Sequence, residues 1–152
     1  MPSIREQLLQ NLTAHMSDRL DGWSVQRHSG LNKSGDLPRL VIYYIGHRKR
    51  LRAHGAGSVE YTTEVEVMLE VKVAFEAADA EIDGGNPLRY VARLSDLVET
   101  ELHRVLAYEP PESQMRLDVD ATDFVSEEGD QTTASAVITA RFAFNETFEV
   151  TV

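Results

Sequence analysis

The chain has 152 residues, enough for one domain with a real core. Its net charge of −10 and pI near 4.9 argue against an attractive grip on nucleic acid or on an anionic membrane surface. Lacking cysteine, it has no disulfide framework, zinc–thiolate site or thiol nucleophile, and no apolar run reaches the roughly eighteen residues a membrane helix needs.

Ser3 with Glu6 forms a capping-box pattern, and Ile4, Leu8, Leu9, Leu12, Met16 and Leu20 make an apolar stripe behind it. This predicts an amphipathic helix over residues 4–20, ended by the Asp21-Gly22 turn. Charged Arg5, Glu6, Asp18 and Arg19 interrupt the segment, so no secretory signal is expected. Residues 23–27 suit a short strand, and residues 28–36, with two glycines, Asn32 and Ser34, a loop. The continuously apolar residues 40–45 predict a strand buried on both faces and ended by Gly46. Residues 47–58 then read as a wide, basic connection into the next strand, within an extended hairpin.

From Val59 to Phe75 the alternation is unbroken. Val59, Tyr61, Thr63, Val65, Val67, Leu69, Val71, Val73 and Phe75 share one parity, and Glu60, Glu64, Glu66 and Glu70 stand on the other. Successive side chains of a strand point to opposite faces, so one face is apolar and the other acidic and wet. Extended at about 3.3 Å per residue, the segment reaches roughly 55 Å, against a diameter of about 40 Å for a compact domain of this length. With no Gly or Pro to bend at, it is expected to project and to pair with another molecule.

Asn86 and Pro87 suit the cap and first residue of a second helix, with a stripe of Leu88, Val91, Ala92, Ser95, Val98, Leu102, Val105 and Leu106. Pro110-Pro111 should stop it. Residues 117–125 alternate as a strand, residues 127–130 form an acidic turn, and a last strand covers residues 133–150, its apolar parity interrupted by Glu146. Helix, strands, helix, strands, without an internal repeat, predicts one α+β domain over residues 1–152, with a largely antiparallel mixed sheet and two main helices on one face.

Candidate chemistry is sparse. The five histidines have no metal-ligand spacing, and Gly55-Ala56-Gly57 precedes a strand rather than opening a helix after one. No catalytic residue, metal site or cofactor is expected. Asp118, Asp120, Asp123, Glu127, Glu128 and Asp130 suit a solvated strand face and turn, with weak divalent-cation binding as the alternative. Glu60, Glu64, Glu66 and Glu70 form an open row, not the paired carboxylates of a hydrolase pocket. The prominent charge feature is Arg48, Lys49, Arg50 and Arg52, four cations in a very acidic chain. They read either as a solvated loop tip or as a surface for a partner of opposite sign. In a head-to-tail ring they would face a neighbour's acidic strand carrying Asp118, Asp120 and Asp123.

In order and hydrophobic parity the segments IREQLLQNLTAHM, LPRLVIYYIG, YTTEVEVMLEVKVAF, LRYVARLSDLVETELHRVL and TTASAVITARFAF together resemble the tail terminator family of tailed phages. The resemblance covers most of the chain and departs from the family in the basic segment 47–57 and in a last strand prolonged to Val152. It implies a virion structural protein, assembled in the bacterial cytoplasm, that sits at the head-proximal end of the tail. Such a protein forms a ring, hexameric in that family, on the last ring of the tail tube protein. There it stops polymerisation and presents a surface to the head-completion connector, with DNA only as passing cargo. From the residues themselves, the acidic rows are expected to line that passage, since like charge discourages adhesion of phosphates. The alternatives are another neck or head-closure protein, a tube subunit, a generic oligomeric structural protein, or a small-ligand-binding or enzyme domain.

Overall fold

The parity of the long central strand organises the molecule. A computed structural model describes residues 4–28, 37–107, 116–128 and 131–150. In chain order the elements are α1 (Ile4–Arg19), β1 (Ser24–Arg27), β2 (Arg39–Gly55), β3 (Ser58–Ala74), a 3-10 turn (Phe75–Ala77), α2 (Pro87–Ala107), β4 (Arg116–Glu128) and β5 (Gln131–Glu149). The five strands form one mixed sheet in the order β1-β2-β3-β5-β4. Only β1, beside β2, is parallel to its neighbour. This is the α+β architecture expected, with both helices on one face.

Along β3, Thr63, Val65, Val67, Leu69, Val71 and Val73 are buried, while the intervening residues are half-buried on the opposite face. On β5 the matching parity is Ala134, Ala136, Ile138, Ala140, Phe142 and Phe144. The alanines leave room for α2, which packs on β5, β4 and β3, while Ile138 and Phe142 fill the remaining depth. Each of these large apolar side chains stabilises the fold by about 1.5–3 kcal/mol on burial. From β2, Leu40 and Ile42 join the same core. Val41, between them on the other face, is buried as well, but the expected burial on both faces ends there: Tyr44 and Ile45 of the same apolar run are 42% and 52% exposed, because they lie past β1 and the helices.

The helices follow their stripes. Leu8, Leu9, Leu12, Met16 and Leu20 are buried; Ser3, the expected cap of α1, lies outside the described residues. Asn86 caps α2, its Oδ1 accepting the Leu88 N–H at 3.0 Å, with Pro87 the first helical residue. The buried stripe of α2 is Val91, Leu94, Ser95, Val98, Glu101, Leu102 and Val105. Leu88, expected in it, is 40% exposed; in the first turn the buried residue is Pro87, four before Val91. Between the helices His15 Nε2 lies 2.8 Å from Oε2 of the buried Glu101, whose other oxygen accepts from Arg104. The expected loop at residues 29–36, the stop at Pro110-Pro111, Asp130 and the prolongation to Val152 lie outside the described residues.

One expectation is corrected. Gly46 does not end β2, and residues 47–58 are not a wide loop. β2 continues to Gly55 and pairs with β3 down to Gly55↔Ser58, leaving only Ala56 and Gly57 as the turn. Gly57 has φ +85°, which favours glycine, and its carbonyl accepts the Val150 N–H at 2.8 Å. Two register shifts, between Tyr44 and Gly46 and between Leu51 and Ala53, bulge the strand without ending it. The segment is polar on both parities, so it carries no alternation to read. A partner strand of seventeen residues supplies the ladder that its own composition does not advertise.

Candidate interaction surface

The sheet has two unequal halves. β1 ends opposite Ile42 and β4 begins opposite Ala143. Past those points β2, β3 and β5 continue alone, among the described residues, as a three-stranded ribbon. On its helix-side face Leu51 is 54% exposed and Phe148 42%, against complete burial for the same parity of β3 at Val65 to Leu69. The start of α1 reaches the ribbon's base, where Arg5 Nη1 lies 2.6 Å from His47 Nδ1 and donates to the Tyr44 hydroxyl at 3.3 Å.

The cationic run divides between the two faces. Arg48 and Arg50 pair in register with Glu64 and Thr62, on the face without helices. With Thr62, Glu64 and Ala143 they line a groove. Arg52, the extra residue of the outer bulge, places Nη1 3.2 Å from Glu60 Oε1. Lys49 points the other way. Its Nζ lies 3.6 Å from Glu146 Oε1, 4.4 Å from the Phe148 ring centroid and 5.7 Å from that of Tyr61. Tyr61 and Phe148 meet edge to face at 5.8 Å. Glu146 is only 8% exposed. Among the described residues neither its Oε1 nor the hydroxyl of Thr63 has a hydrogen-bond partner, so Lys49 is what balances the carboxylate.

The acidic row is interleaved with cations. Glu60, Glu64, Glu66 and Glu70 are half-buried on the helix-free face of β3, flanked by Arg48, Arg50 and Arg52 from β2 and by Arg141 from β5. Arg141 reaches Glu66 and Asp118 at 3.6 Å each. Across the strands the charge therefore runs positive on β2, negative on β3, positive at Arg141 and negative on β4. Asp118 and Asp120 are exposed on this face of β4. Asp123 is not grouped with them, since it pairs in register with Ala136, on the opposite parity. Among the described residues no three His, Asp or Glu side chains converge as metal ligands do, and no helix is long and apolar enough to cross a membrane.

Sequence reasoning missed Arg141 and the Lys49–Glu146 pair. The signal for the second was present, an acidic residue on an otherwise apolar parity, but its partner appears only once β2 is known to continue. Elsewhere, the carboxylates of Glu6 and Asp83 are held low. Arg27 lowers Glu6 below the usual glutamate range through hydrogen bonds of 2.6 and 3.3 Å. Arg93 does the same for Asp83 with two of 3.0 Å, and is itself raised. Compared with known proteins, the chain matches no family model and no curated protein.

Proposed function

We propose that this protein is a structural subunit of a phage tail that caps the end of the tail tube as a ring, ending tube growth and forming the surface that joins tail to head. The observation that carries this reading is the ribbon. A sheet that outruns its own helices leaves faces and edges, uncovered among the described residues, that suit a neighbouring molecule. The resemblance of the ordered segments to tail terminators supports the same assignment. It suggests six copies per ring, contacts with the tube protein on one side and the head-completion connector on the other, and no chemistry beyond assembly.

Negative-stain microscopy of tails assembled with and without this chain tests the reading. Tails of uniform length that join heads are expected in its presence, and overlong or headless tails in its absence. Identical tails in both preparations would refute it. Purified chain that polymerises by itself into long tubes would make it a tube subunit instead.

A further inference from the structure

We infer that copies of this chain join edge to edge, the outer edge of β2 in one copy against β4 of the next, and that no edge pairs with its own kind. This rests on the ring proposed above and specifies the contact that builds it.

The sheet has two edges left open by the described residues. On one side, residues 43–55 of β2 lie past the end of β1. On the other, β4 is the last strand in the order, 13 residues long and matching that open stretch in length. An open edge presents unpaired N–H and C=O groups and is a template for a further strand.

Charge decides which strand. The β2 edge carries Arg48, Lys49, Arg50 and Arg52, and the β4 edge carries the exposed Asp118 and Asp120. A two-fold pairing of β2 with β2 sets cation against cation, and β4 with β4 sets acid against acid. Like charges directly opposite destabilise a ladder, whereas opposite charges stabilise it. Arg48 and Arg50 make no ion pair among the described residues, although Glu64 stands opposite Arg48 in register, and the exposed Asp120 makes none either. These charges are free for a second copy.

Direction agrees. Each step from β2 to β3, β5 and β4 is antiparallel, so β2 and β4 run oppositely within a subunit. Within one sheet Arg48 lies level with Arg116, so the added copy is slid by about four residues, as rotation about an axis inclined to the strands allows; this brings Arg48 and Arg50 level with Asp120 and Asp118 and keeps the helix-free faces on one side. Its β2 then lies antiparallel to β4, with Arg48 and Arg50 on the same face as Asp118 and Asp120. The bulges at Ile45 and Arg52 confine regular pairing to residues 46–51, where both free arginines sit. Because the two edges differ, the contact is head-to-tail. It closes into a ring or runs on as a filament, but does not stop at a dimer.

The cysteine-free chain makes the test clean. Gly46→Cys and Thr122→Cys place single thiols on the helix-free face of β2 and β4 and keep every charge; a Cβ at Gly46 meets nothing within 4 Å. Mixed and treated with a short bis-maleimide, the two variants should give a cross-linked pair that neither gives alone. Lys49→Cys, on the other face, should not link to Thr122→Cys. Arg48→Glu with Arg50→Glu should abolish the cross-link and return sedimentation to the monomer. Linking of Gly46→Cys to itself overturns the inference, and so does a chain that stays monomeric at every concentration. Closed rings without the mixed cross-link would refute the edges while leaving the cap standing. Open filaments with it would support the edges and reject the cap.

Discussion

The two halves of the sheet share strands but obey different rules. Beneath the helices, β3 and β5 present Val65, Val67, Leu69, Ile138, Ala140 and Phe142 to α1 and α2, and every large side chain there is enclosed. In the ribbon the same strands carry Tyr61 and Phe148 beside Lys49 of β2, and Glu146 rather than an aliphatic residue occupies the core parity. The first half holds the monomer together by apolar burial. The second is held by its ladder and by pairs of opposite charge, each of which contributes little in water. A ribbon held by such weak pairs is what the assembly proposed above would require.

Substitutions separate the two regimes. Leu69→Asp or Phe142→Asp puts an uncompensated charge under the helices and should cost more than about 4 kcal/mol, unfolding the monomer in circular dichroism. Leu69→Ala should cost about 2–5 kcal/mol in urea denaturation. Retention of the full far-ultraviolet signal by the aspartate variants would mean that the core is elsewhere. At the boundary, Lys49→Ala leaves Glu146 buried without a counter-charge and should cost about 1–3 kcal/mol. Lys49→Ala combined with Glu146→Gln should recover much of that loss; an unrecovered double variant would show that Lys49 acts by covering Phe148 instead.

Acid should weaken the body through two of its carboxyls. The carboxyls of Glu6 and Asp83 are lower in the folded protein than in the unfolded chain. Their contribution is complete above the ordinary carboxylate range, about pH 4, and is lost as pH falls through the depressed folded values. Arg93→Gln should remove the Asp83 part, flattening the fall of the urea midpoint in that window. An unaltered slope would count against the pair. The smallest effect on folding is expected in the ribbon itself. Arg48→Glu with Arg50→Glu should change monomer stability by no more than about 0.5 kcal/mol while abolishing self-association in sedimentation.

How much of this was legible in the residues follows from where hydrophobic contrast exists. The alternation from Val65 to Val73, the Asn86-Pro87 start of α2 and the stripe of α1 were readable because buried and exposed positions differ in polarity. The overlong β3 pointed to a projection, and the strands do outrun the helices. The outer part of β2 was misread because His47, Lys49 and Leu51 on one face differ too little from Arg48, Arg50 and Ala53 on the other. Its strand character comes from its neighbour. For the same reason the cationic run looked like one loop-borne patch, whereas its members face opposite sides and have different partners. Asp123 parts from Asp118 and Asp120 by parity alone, which becomes visible once the β4–β5 register is known.

The bulge at Ile45 has a consequence for the whole outer sheet. Up to Tyr44, even-numbered residues of β2 look toward the helices, Ile42 opposite Leu69 and Tyr44 opposite Val67; from Gly46 onward they look away. One inserted amino acid thus sets the phase of everything downstream to Leu51. Excising it, with the ladder otherwise kept, would swing both arginines inward and send His47 and Lys49 out, turning the strip inside out without altering its net charge. The protein's outward chemistry there hangs on a count of one.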